Sequence, residues 1–113
     1  ILRWLIETDR CEVVAFVAKW RAKYGSEEID YFAVHAYDSM RLMAAAIELG
    51  LGDRSSVADD RAAIRDALGK LRDVPSVLYG KVAFNTATRK VDEFLGARLV
   101  VKGGKLAAWD GKR

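Results

Sequence analysis

Pro75 constrains this chain more than any other residue, because the hydrophobic period differs on its two sides. Proline has no amide donor and drives the residue before it out of the helical region, so no helix can run through this point. Ahead of it, apolar side chains recur at three- and four-residue spacing. Behind it they fall in short runs separated by turn residues, the pattern of strands.

The helical side divides into three segments. Asp9 and Glu12 have the spacing of a capping box, and Val13, Phe16, Val17, Trp20 and Tyr24 follow at helical intervals up to Gly25. Asp30 is the expected N-cap of a second helix whose face reads Ala33, Ala36, Tyr37, Met40, Met43, Ala44 and Ile47, with Gly50 as its stop and the two methionines as core filler. Gly50 to Ser56 reads as a loop. A third helix starts near Ser56 and carries Ile64, Ala67, Leu68 and Leu71, with Asp66 and Lys70 spaced as an i,i+4 ion pair on its solvated side.

Beyond Pro75, Val77 to Phe84 is the first strand candidate, closed by the polar turn Asn85-Thr86-Ala87-Thr88. Ala97 to Lys102 and Lys105 to Trp109 flank Gly103-Gly104, which suits a tight hairpin far better than a phosphate loop, since no helix follows it. Three helices followed by short antiparallel strands make the chain α+β.

Composition removes several classes of function. The net charge of +3 comes from 19 basic and 16 acidic residues that are interspersed, so no polybasic stripe points to nucleic acid or a membrane surface. One histidine, His35, and one cysteine, Cys11, fall short of the ligands a zinc site requires, and no other metal or cofactor is called for. His35, Asp38 and Ser39 share a stretch of helix and invite comparison with a hydrolase. No strained turn or glycine-rich segment precedes the serine to supply oxyanion donors, so Asp38 and Ser39 read as a solvated helix face and no catalytic residue is assigned.

Five segments, taken in order, resemble one family. Phe16-Val17 leading to Trp20-Arg21-Ala22-Lys23-Tyr24-Gly25 is the first. Asp30-Tyr31-Phe32-Ala33-Val34-His35-Ala36-Tyr37-Asp38 is the second, and Asp60-Arg61-Ala62-Ala63-Ile64-Arg65-Asp66-Ala67-Leu68 the third. Gly80-Lys81-Val82-Ala83-Phe84-Asn85 and Leu99-Val100-Val101-Lys102-Gly103-Gly104-Lys105-Leu106 complete the set. Together they resemble the last third of the periplasmic branched-chain amino-acid-binding proteins, the type I solute-binding components of ABC transporters. Asn85 stands where that family has Asp, the turn after it lacks the family's glycine, and residues 1–12 match poorly.

The resemblance implies a fragment of a two-lobed α/β fold. Residues 1–75 would belong to the helical part of one lobe, and 76–113 to strands crossing the hinge to the other. It implies a non-enzymatic receptor in the periplasm, or lipid-anchored outside the cell, that closes around an amino acid or related carboxylate and presents it to a membrane permease. The chain opens on Ile1 with no recognisable leader, and that start by itself assigns no compartment. Phe32 falls where the family's helix opens to the cleft, with Tyr31 one step and His35 nearly one turn away. These three are the expected ligand-binding residues. The alternatives are a ligand-sensing regulatory domain of the same fold, a small hydrolase, and a truncated product without transport activity. Taken alone, the chain is expected to form a homodimer, since the apolar faces of its first two helices lack the sheet that the family packs against them.

Overall fold

The structure is a computed structural model and describes residues 9–25, 28–51, 56–91, 98–109 and 111. Helix α1 spans Cys11–Tyr24, α2 Tyr31–Gly50 and α3 Val57–Lys70. Strands β1 (Val74–Ser76) and β2 (Gly80–Val82) pair antiparallel, as do β3 (Leu99–Lys102) and β4 (Lys105–Ala108). The architecture is α+β, helices first and hairpins after. Among the described residues no helix is long and apolar enough to cross a membrane.

The starts of α2 and α3 follow from their caps. The Asp30 side chain accepts from the Phe32 amide at 3.2 Å, and Ser56 Oγ accepts from the Asp59 amide at 3.1 Å. Both occupy orphan donors of a first turn, the Asp30 cap as expected and the Ser56 bond at the expected helix start. The capping box expected at Asp9 and Glu12 does not form. Arg10 takes the N-cap position of α1 without a side-chain bond to the helix, and its guanidinium donates to the Val77 carbonyl at 2.8 Å instead. Glu12 stays in the first turn, where the backbone amide of its own residue and then Cys11 hold its carboxyl below the usual range.

Among the described residues two apolar clusters make the core, and α2 belongs to both. Its first half packs Val34 with Val13, Phe16, Ile29, Val77 and Leu78, flanked by Trp20 and Tyr37. Its second half packs Ala46 with Ala67 and Leu71, flanked by Leu42, Ala45, Ile64, Leu68 and Val74. The inward stripe of α2 is thus Val34, Asp38, Leu42, Ala45 and Ala46, rotated from the expected one. Met40 is 69% exposed, and Met43 and Ile47 are also exposed, so the methionines are not core filler here. The helix is apolar nearly all round, which lets the polar bonds of Asp38 decide which face turns inward. Part of the cover expected from an outside sheet comes from the chain's own β1–β2 hairpin.

The end of α2 meets α3 at close quarters. A Cβ placed on Gly50 would lie 2.8 Å from the Ala63 carbonyl oxygen and 2.9 Å from the Ala67 Cβ. Gly50 is therefore the last residue of the helix because it allows this approach, rather than because it breaks the helix. α3 ends at Lys70, five positions ahead of Pro75, with Arg72 donating to the carbonyls of Gly69 and Leu71. The expected Asp66–Lys70 pair is replaced by Arg65 on Asp66 at 2.9 Å.

The extended segment expected over Val77–Phe84 is instead half of a hairpin. Val77, Leu78 and Tyr79 form the turn, with Ser76 opposite Gly80 in the register. The Gly103-Gly104 hairpin forms as expected, both glycines at positive φ, and the Trp109 amide donates to the Arg98 carbonyl beyond β4. Ala97 lies outside the described residues.

Candidate functional site

The three sequence-predicted site residues stand together at the start of α2. Tyr31 sets its ring edge-on to His35, centroids 4.3 Å apart, and edge-on to Phe32 at 5.9 Å. Phe32 is 75% exposed, Tyr31 is exposed and His35 half-buried. Solvated aromatic rings of this kind are neither core nor an ordinary polar helix face. The Asp30 cap fixes the first turn that carries them.

Tyr79, at the end of the β1–β2 turn, lies against the same end of the molecule. Its phenol is pushed above the ordinary tyrosine range, first by burial and then by the negative charges that Tyr31 and Asp38 can place nearby. The Arg10 guanidinium runs beside this turn. Its Nη1 is buried and finds no hydrogen-bond partner among the described residues, and it would lie 3.2 Å from a Cβ on Gly80.

Beneath the rings is a polar clamp that the sequence did not reveal. Asp38 is only 4% exposed, not part of a solvated face. One carboxylate oxygen accepts from the Val77 amide at 3.0 Å, and the other from Ser76 Oγ at 2.7 Å and the Leu78 amide at 3.0 Å. Ser76 Oγ in turn accepts from the Tyr79 amide at 2.9 Å. These bonds satisfy the amides of a turn whose side chains face the core, where an orphan donor costs about 1–3 kcal/mol. None of these bonds reaches His35 or Ser39, so the sequence neighbours His35, Asp38 and Ser39 do not assemble as a triad. The one signal in the sequence was an acid in a mostly apolar helix, and it did not identify its partner.

Among the described residues no group of three or more His, Cys, Asp or Glu is placed to hold a metal ion. Cys11 is exposed at the start of α1. Comparison with protein-family models, with curated proteins and with solved structures finds no match to this chain.

Proposed function

We propose that this chain is the C-terminal segment of an extracytoplasmic solute-binding component of an ABC transporter, one that takes branched-chain or related amino acids. The observation that carries the reading is Phe32, exposed on a helix start fixed from two sides, by the Asp30 cap and by the Asp38 clamp. An apolar ring held in place suits a branched side chain, since each Å2 of apolar surface removed from water is worth about 25 cal/mol. The five-segment resemblance supports the same reading. So does the uncovered strip Met40, Met43 and Ile47 on α2, which suits burial against further structure. The described residues of this end supply mainly apolar lining, so the other lobe would provide most of the polar anchors that the ammonium and carboxylate of an amino acid need. Closure of the two lobes around ligand would then be the signal to a permease.

Titration of leucine, isoleucine and valine against the two-lobed protein tests the proposal. Phe32→Ala should weaken binding about tenfold or more, the usual consequence of removing an aromatic ring from a closed cleft. Unchanged affinity in that variant, or genomic sequence ahead of Ile1 that encodes no α/β lobe, sinks it. The bare 113-residue chain should bind these amino acids weakly or not at all. It should also self-associate through the uncovered strip, which light scattering across a concentration series reads directly.

A further inference from the structure

A second surface shares no residue with the aromatic end of α2. The last turns of α3 and the segment after β2 line an open groove of about 510 Å3. Its apolar lining is Leu68 and Phe84, both half-buried. Arg65 and Lys70 reach it from the helix and Arg89 from the turn, against one carboxylate among the described residues that line it, Asp66. Arg65 is already paired with that carboxylate through Nε and Nη2, which leaves Lys70 and Arg89 as cations without an ion pair among the described residues.

The turn holds Arg89 in place. Asn85 Oδ1 accepts from the amides of Ala87 and Thr88, both at 3.0 Å, the Arg89 amide donates to the Asn85 carbonyl at 2.7 Å, and the Asn85 amide donates to the Lys90 carbonyl at 2.8 Å. Arg89 sits at φ +57, a left-handed conformation that glycine adopts without strain and arginine does not. The turn thus keeps a long cation where backbone geometry favours glycine. Non-glycine residues held in such regions concentrate at ligand sites. Close to it, a Cβ on Gly69 would come within 3.0 Å of the Thr86 methyl, so helix and turn are in direct apposition. The C-terminal carbonyls of α3 would repel an anion, but Gly69 O is covered by Arg72 at 2.9 Å, and the carbonyls of Ala67 and Leu68 accept from the Leu71 amide.

We propose that this groove binds a small organic carboxylate with an apolar body, the carboxylate held by Arg89 and Lys70 and the body resting on Leu68 and Phe84. The inference is independent of the amino-acid reading and stands or falls without it. Arginine's planar fork matches a carboxylate, and the volume falls in the range of small-molecule sites.

The test is an amide-resolved NMR titration of the full 113-residue chain with 4-phenylbutyrate. Saturable shifts at Leu68, Gly69, Thr86 and Arg89 are expected, weakened about tenfold in Arg89→Gly, the loss of one charge-assisted hydrogen bond. That variant removes the cation while suiting the turn's backbone, so a folding defect does not explain the loss. Lys70→Gln should weaken binding in the same direction. Shifts that do not saturate by ~10 mM, that map elsewhere, or that persist unchanged in Arg89→Gly overturn the proposal. Inorganic phosphate binding the same amides as tightly removes the need for an apolar body. 4-Phenylbutanol doing so removes the need for the anion, and either result overturns it.

Discussion

The hairpin β1–β2 turns through Val77, Leu78 and Tyr79, whereas β3–β4 turns through Gly103 and Gly104. In the first, Val77 and Leu78 are buried in a core cluster and the turn's amides are received by Asp38, far away in sequence. In the second, the glycines adopt positive φ at no steric cost and most of the flanking side chains face water, Val101 being 67% exposed. One hairpin is specified by tertiary structure and the other by its own two residues. Removal of a single remote side chain should therefore undo the first, while the second should respond only to changes in its turn.

The largest effect should come from Asp38→Ala. It leaves the Val77 and Leu78 amides and the Ser76 hydroxyl without their acceptor, and a broken buried polar network costs about 3–5 kcal/mol. Urea unfolding should show a lowered midpoint or no cooperative transition, while Asp38→Asn, which keeps one acceptor oxygen, should fall between. An unchanged midpoint in Asp38→Ala would remove the basis of the comparison.

Gly50→Ala tests whether close approach of α2 to α3 ranks beside the clamp. Alanine improves helix propensity by about 1 kcal/mol, but the added carbon meets backbone at 2.8 Å. Overpacking of that kind costs about 1–3 kcal/mol, so a net loss of stability is expected from thermal unfolding. A gain would show that the helices separate readily.

Gly103→Ala should cost about 1 kcal/mol, the penalty of a left-handed alanine. That loss should stay within β3–β4, visible as faster exchange of the Val100 and Ala107 amides, a hydrogen-bonded pair of the ladder, with the global midpoint unmoved.

The smallest effect concerns alkaline pH. The Tyr79 phenol has a raised pKa in the folded chain, so its contribution is fully present below the ordinary tyrosine value near 10 and is lost as pH rises through the folded value. Stability should decline on that alkaline limb, and Tyr79→Phe should flatten the decline in a pH series of denaturation midpoints.

Local signals carried most of what was legible. The cap at Asp30, the helix start near Ser56 and the Gly103-Gly104 turn depend on residues within three positions of each other, and each forms as expected. The buried face of α2 and the β1–β2 turn did not declare themselves. An apolar run such as Val77-Leu78-Tyr79 has the composition of a strand, and side chains from elsewhere, the Asp38 carboxylate first among them, make a turn there tolerable. For the same reason the Asp9–Glu12 spacing misleads, because Arg10 is drawn away to Val77. Of the candidate site, the grouping of Tyr31, Phe32 and His35 followed from adjacency on one helix. The groove at Arg89 did not, since it depends on a backbone conformation that nothing in Asn85-Thr86-Ala87-Thr88 announces.

The bond from Asp38 to Val77 also sets an order of events. It joins residues 39 apart, so the intervening chain must first lose the freedom of a long closed loop. The packing of α2 on α3 lies inside that loop and shortens the remaining search once formed. Folding should therefore begin with the two helices and finish when the hairpin is received by the carboxylate. Substitutions at Asp38 should then chiefly speed unfolding, while those at Ala46 and Ala67 should chiefly slow folding.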